Sequence, residues 1–187
     1  ARFVPVLLGS GAYLLARRPL RIPRAAWPKV VAMGLLSVPA YNVFFFHGLK
    51  TVPSGTGALV IALNPVFTAV LARVLLGEPF GPRHVAGLGL ALAGVFVVIR
   101  FGTDKAVDWP YLSSALLLAL APLSWALYAV LGRKLPEGAD PLDTSYALLF
   151  VGSLPLLAFA RPSTVAKLAS SPGALWSALY LAVPCTL

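Results

Sequence analysis

Long apolar runs separated by short breaks, several of them long enough to cross a bilayer, constrain this chain more than any other feature. Seven can be read: Phe3–Ala16, Val30–Gly48, Gly55–Leu76, Val85–Phe101, Tyr111–Leu131, Ser145–Ala160 and Ala174–Leu187. A helix needs ~17–25 residues to cross ~30 Å of hydrocarbon at ~1.5 Å per residue, and the near-complete runs meet that length. The breaks carry turn chemistry: Arg17-Arg18-Pro19, Val52-Pro53-Ser54-Gly55, Gly81-Pro82, Trp109-Pro110, Pro136-Glu137-Gly138 and Ser171-Pro172-Gly173. Short connections between consecutive spans imply an up-down arrangement. The expected fold is an all-α polytopic membrane protein, a helical bundle with its surface in lipid.

Composition agrees. The chain of 187 residues is 59% hydrophobic and 11% charged, with a mean hydropathy of +0.86. A soluble domain carries about 25% charged residues. The net charge of +9 suggests nucleic acid at first sight. The basic residues form no single face, however. They fall between apolar runs, where membrane proteins keep them. A nucleic-acid partner is therefore not expected; lipid bilayer and small-molecule substrate are.

Lys and Arg in the short loops set orientation. The first loop holds Arg17, Arg18, Arg21, Arg24 and Lys29, and Arg83, Arg133 and Lys134 fall on the same side. The opposite side has Lys50, Lys105, Arg161 and Lys167. The first loop is thus expected to be cytoplasmic. Trp27, Trp109 and Trp176 stand at span ends, as interfacial aromatics do. The chain starts without Met in an apolar run and stops in another, so it reads as a fragment with about seven spans.

Asn64-Pro65 sits in the middle of the third run. Pro65 removes the hydrogen bond to the Ile61 carbonyl and crowds that turn. An unpaired backbone group in lipid costs several kcal/mol. A purely structural span has little reason to carry both residues. Gly57, Asn64 and Thr68 share one stripe of this run, Ser37 and Tyr41 stack at i, i+4 beside Asn42, and Ser124 and Tyr128 do so beside Trp125. Amides, hydroxyls and rings suit a wet cavity for a small amphipathic solute. Hydrogen bonding between helices is the competing reading.

Pro39, Pro65, Pro122, Pro155 and Pro184 all lie inside runs and are expected to kink their helices. Kinks serve either alternating access or static shaping of a bundle. Gly87, Gly89, Ala91, Ala93 and Gly94 give the fourth run small-xxx-small spacings that let helices approach closely. Glu78, just after the third run, is placed to cap the next helix near Pro82, to pair with Arg83, or to stand as a solvated loop charge.

The six acidic residues, Glu78, Asp104, Asp108, Glu137, Asp140 and Asp143, read as loop residues. No carboxylate then stands at mid-depth, where proton relays are usually built. A membrane enzyme would need clustered carboxylates, His or Cys. His47, near a span end, and His84, in a loop, read as ordinary interfacial residues. The single Cys185 excludes an internal disulfide and a multi-Cys metal site. No catalytic residue, cofactor or metal is expected.

A faint internal repeat is present. Leu14-Leu15-Ala16-Arg17-Arg18-Pro19 is similar to Leu157-Ala158-Phe159-Ala160-Arg161-Pro162, and Leu36-Ser37-Val38-Pro39 to Leu181-Ala182-Val183-Pro184, at nearly constant offset. The shift is an odd number of spans, so the second copy is upside down, as in many secondary transporters.

Several stretches then resemble, in order, one known family. They are Asn42-Val43-Phe44-Phe45-Phe46-His47-Gly48-Leu49, Pro53-Ser54-Gly55-Thr56-Gly57-Ala58-Leu59, Asn64-Pro65-Val66-Phe67-Thr68, Gly77-Glu78, and Gly87 with Ala93-Gly94-Val95. Together they resemble the EamA domain of the drug/metabolite transporter superfamily. Ser124-Trp125-Ala126-Leu127-Tyr128-Ala129-Val130 and Arg133-Lys134-Leu135 look like the start of a second copy. The resemblance implies ten spans in two inverted repeats of five, here residues 1–102 and 110–187. The visible spans would be the second to eighth, with the first, ninth and tenth absent. It also implies a central cavity lined by the third, fourth, eighth and ninth spans, which points to Tyr41, Asn42, Asn64 and Thr186. Lacking one cavity wall, such a fragment is not expected to transport by itself.

The leading expectation is a bacterial inner-membrane secondary transporter, an exporter of amino-acid-like or other small amphipathic metabolites. Tyr41, Asn42, Asn64, Thr68, Trp125, Tyr128 and Thr186 would line its path, with Glu78, Arg83, Gly87 and Gly94 in structural roles. A homodimer is compatible with this reading. The alternative is a membrane-embedded enzyme or an assembly subunit on a similar bundle.

Overall fold

Proline and glycine decide where the helices begin and end. In the computed structural model, residues 3–17, 19–79, 81–101 and 109–158 are described. Among them every regular element is helical. α1 (Phe3–Ala16) is followed by a tight 3-10 turn at Arg24–Ala26, which leads into α2 (Trp27–Leu35). A wide π turn, Leu36–Ala40, joins α2 to α3 (Tyr41–Gly48). The remaining helices are α4 (Ser54–Ile61), α5 (Asn64–Leu76), α6 (Pro82–Phe101), α7 (Trp109–Arg133) and α8 (Pro141–Leu157).

The interior prolines behave differently from one another. Pro65 does not bend a continuous helix: the expected single run is split into α4 and α5 at Ala62-Leu63. The Ala62 N–H still reaches the Ala58 carbonyl at 2.9 Å, but the Leu63 N–H closes a tighter turn on Val60 at 3.2 Å. Pro65 then falls in the first turn of α5, where a missing N–H costs nothing. Pro39 lies within the π turn, which inserts one residue into the helical ladder where the ring would otherwise crowd it. Pro122 and Pro155 lie inside α7 and α8, which continue on both sides. Pro184, Thr186 and the seventh expected span lie outside the described residues.

Caps explain the shifted boundaries. The Asp140 carboxylate accepts from the N–H groups of Leu142 at 2.9 Å and Asp143 at 3.1 Å, and Pro141 occupies the first helical turn. α8 therefore begins ahead of the expected Ser145. α5 ends on Gly77, whose φ of 72° lies in the left-handed region. A Cβ there would meet open space, so only backbone strain opposes a side chain. Gly77→Ala is expected to lower stability by about 1–2 kcal/mol, read as a lower Tm of the detergent-solubilised protein.

The described residues fall into two compact units, one drawn from Ala1–Pro39 and Leu135–Leu187, the other from Ala40–Lys134. In the second, α7 is the central helix and packs against α3, α4 and α5. Its core is Val52, Val60, Tyr111, Ala115 and Leu118, with Phe45, Leu49, Ile61 and Ala119 against it. Gly48 admits Leu118: a Cβ on Gly48 would lie 2.5 Å from the Leu118 Cβ and 2.8 Å from its Cα. In the first unit α8 packs against α1 and α2. There Gly34 and Gly152 bring two backbones into contact, a Cβ on Gly34 falling 2.6 Å from the Leu148 carbonyl oxygen.

The close approaches thus occur away from α6, where the spacing had placed them. A Cβ added at Gly87, Gly89 or Gly94 meets open space. The helical stretches Arg24–Gly48, Ser54–Leu76 and Tyr111–Arg133, taken across any internal break, are long and apolar enough to cross a membrane; Phe3–Ala16, Pro82–Val97 and Pro141–Leu157 are shorter apolar helices.

Candidate functional site: a polar cavity along α5

The break at Ala62-Leu63 puts Asn64 at the first position of α5. Helical spacing then aligns Asn64, Thr68 and Ala72 on one stripe. This stripe, with Pro65 and Ala69, forms one wall of a cavity of about 410 Å³. That is within the ~300–1,000 Å³ range of small-molecule sites. The Thr68 hydroxyl donates to the Asn64 carbonyl oxygen at 2.8 Å and lies 3.5 Å from its side-chain Oδ1. Thr68 is thereby turned onto its own helix, while the Asn64 amide keeps hydrogen-bonding capacity at the cavity wall.

Charge gathers at the other end, where Glu78, Pro79, His84 and Arg133 complete the lining. Arg133 Nη1 lies 2.6 Å from Glu78 Oε1. Glu78 therefore pairs across to the end of α7, while Arg83, one of the partners that the sequence left open for it, stands exposed in the first turn of α6. Lys134 Nζ donates to the Leu75 carbonyl at 2.6 Å, and Arg73 Nη1 to the Glu78 carbonyl at 3.2 Å. Cations here satisfy carbonyls at and just beyond the end of α5, where the helix dipole favours them. His84 belongs to the first turn of α6, not to a loop, and lines the cavity. The two ion-pair side chains are 51% and 47% exposed, so the pair contributes only ~0–1 kcal/mol. Glu78→Gln should shift stability by less than about 1 kcal/mol in thermal unfolding.

Rings form a separate cluster in the same unit. Tyr41 stacks on Phe45 with centroids 5.9 Å apart and meets Trp125 edge-on at 5.9 Å. Trp125 and Tyr128 lie 5.2 Å apart. None of these rings lines the cavity. Asn42 is buried, and the Ser124 hydroxyl is turned back onto the Leu120 carbonyl at 2.7 Å. The expected pathway residues therefore separate into Asn64 and Thr68 on the cavity wall and a ring cluster apart from it.

Sequence pattern alone makes Asp143 a loop residue, yet it is buried at 1% exposure in the first turn of α8. Its carboxylate accepts from the Tyr13 hydroxyl at 3.1 Å and the Arg21 backbone N–H at 2.7 Å. The Asp140 N–H returns a bond to the Arg21 carbonyl at 2.9 Å, and Tyr13 stacks on Tyr146 at 3.8 Å. The Asp140-Pro141-x-Asp143 pattern, a cap followed by proline and a first-turn acid, was the available signal. Among the described residues no three His, Cys, Asp or Glu gather as a metal site.

All-helical structure with several apolar helices of crossing or near-crossing length defines a multi-pass membrane protein. The model of the EamA-like transporter family matches residues 1–100 and 112–187. The chain belongs to that family. It is 31% identical over 151 residues to an uncharacterized transporter, YyaM, of Bacillus subtilis, covering 80% of this chain and 50% of that protein. It is 32% identical over 181 residues to a probable terminal-alkyne amino-acid exporter of Streptantibioticus cattleyicolor, covering 93% and 58%. A third relative, the S-adenosylmethionine/S-adenosylhomocysteine transporter of Chlamydia trachomatis, is 29% identical over 79% of this chain and 47% of its own length. The chain thus spans about half the length of the curated relatives it matches. No solved structure matches it.

Proposed function

We propose that the protein is, or is part of, a secondary transporter of the bacterial inner membrane, exporting amino acids or related small amphipathic solutes by alternating access. The observation that carries this reading is the broken third span. The break converts Asn64-Pro65 from a helix defect into the head of a cavity that runs along Asn64 and Thr68 to Glu78, His84 and Arg133. An amide and a hydroxyl at one end and paired opposite charges at the other suit a solute with an apolar body and polar ends. The relatives named as an amino-acid exporter and as an S-adenosylmethionine transporter support small charged metabolites as the substrate class. Two inverted repeats of five spans, the first including residues 1–102 and the second residues 110–187, remain the architecture proposed for the whole protein.

Efflux from cells expressing the full-length gene tests the reading. Asn64→Leu removes the amide while keeping the branching and heavy-atom count of the side chain, and is expected to cut flux about tenfold, the equivalent of one hydrogen bond to a polar substrate. Tyr41→Ala tests the ring cluster in parallel. If both variants move every wild-type substrate at the wild-type rate, the site assignment is wrong.

A further inference from the structure

The first unit carries a second, smaller pocket, of about 250 Å³, lined by Ala16, Arg17, Pro19, Arg21 and Asp143. It lies just beyond the end of α1, and two features meet there. One is charge: the side chains of Arg17, Arg21 and Arg24 are exposed, and among the described residues Arg17 and Arg21 have no carboxylate within ion-pair distance. The carboxylate in the pocket, Asp143, is already held by the Tyr13 hydroxyl and the Arg21 N–H. The other is an apolar stripe. Leu8 and Leu15 are 67% and 68% exposed, and with the exposed Ala12 and Ala16 they follow one face of α1 at i, i+4, i+7 and i+8 spacing up to the pocket.

The loop that carries these arginines is also fixed. The Arg21 N–H and carbonyl are both bonded to the start of α8, through Asp143 and the Asp140 N–H. The backbone is pinned while the guanidinium stays exposed, so little ordering remains to oppose binding. Arginine's planar fork suits a phosphate oxygen pair.

We propose that this pocket is a binding site for an anionic phospholipid, with its phosphodiester headgroup against Arg17 and Arg21 and its acyl chains along the Leu8–Ala16 face of α1. The site lies at the end of α1 that the basic-loop bias assigns to the cytoplasmic leaflet, where anionic lipids attract juxtamembrane Lys and Arg. It is independent of the cavity along α5 and does not rest on transport.

Native mass spectrometry of the full-length protein tests this, titrated in turn with phosphatidylglycerol, phosphatidylcholine and glycerol phosphate. Phosphatidylglycerol is expected to bind at least about tenfold more tightly than phosphatidylcholine, and glycerol phosphate should not displace it at equal concentration. Each arginine is worth about a fivefold change in affinity, so Arg17→Gln with Arg21→Gln should weaken phosphatidylglycerol binding roughly 25-fold. The Arg17→Lys and Arg21→Lys pair should keep most of it. Both side chains are exposed and the loop is held through backbone atoms, so the variants should fold. In the wild type, raising salt should weaken phosphatidylglycerol and leave phosphatidylcholine unchanged. Equal affinity for the two lipids, salt-independent binding, or wild-type affinity in the Gln pair overturns the proposal. Full displacement by glycerol phosphate identifies a soluble-anion site and overturns the lipid.

Discussion

Gly152→Leu is expected to destroy the packing of α2 on α8. A Cβ at position 152 would run into the Gly34 carbonyl oxygen and lie 2.9 Å from the Val38 Cβ. The first of these is backbone, which no rotamer change can move aside. Overpacking a core side chain costs ~1–3 kcal/mol, occasionally more, and here two helices must separate. The loss should reach or exceed about 3 kcal/mol. Helix association in lipid has no hydrophobic drive between apolar surfaces and depends on close packing, so separation forfeits most of what holds the pair. Thermal unfolding of the full-length protein in detergent should show a large fall in Tm. Gly87→Leu on α6 serves as the contrast, since a Cβ there meets open space. A Gly152→Leu protein as stable as the wild type would mean that the two backbones do not touch.

Asp143→Ala carries the second large effect. It strips the acceptor from two donors at once, the Tyr13 hydroxyl and the Arg21 N–H, in a site where Asp143 is 1% exposed. A fully buried donor left unmatched costs ~1–3 kcal/mol; both bonds here are part-buried, so water can partly replace the lost acceptor, and a loss of about 2–4 kcal/mol is expected. Tyr13→Phe deletes only one of the two bonds and takes its donor away with it. It should cost about 1 kcal/mol. In the double variant Tyr13→Phe with Asp143→Ala, the Tyr13 cost should largely vanish, because its partner is already gone. Additive costs in that cycle would show that the two side chains are not coupled.

Much of the fold was legible because hydrocarbon length and turn residues are local properties. Six of the seven apolar runs fall within a few residues of described helical stretches, the seventh lying outside the described residues, and Gly77 and Pro82 mark boundaries that the sequence advertises. The errors have a common physical origin. Small residues identify a helix that can be approached, not the helix that approaches it: Gly87 and Gly89 satisfy the spacing, while Gly34, Gly48 and Gly152 make the contacts. Charge pairing is likewise a tertiary matter. Glu78 had Arg83 near it in sequence, but α7 delivers Arg133 at 2.6 Å. Asp143 looked like a loop acid because the apolar run begins after it; the cap at Asp140 carries the helix back over it. At the cavity, Asn64 and Thr68 were readable from helical spacing alone. His84 and Arg133 were not, since nothing local ties either to Asn64.

The joint at Ala62-Leu63 has a mechanical consequence. A continuous helix resists bending because curvature stretches its ladder of backbone bonds, and a sharp bend must break some of them. Here an eight-residue and a thirteen-residue piece already meet at a tightened turn, and Pro65, in the first turn of α5, has no N–H with which to add a rung across it. Tilting one piece against the other therefore sacrifices fewer bonds than flexing an unbroken rod. Stiffness in this span is lowest at the depth where Asn64 stands.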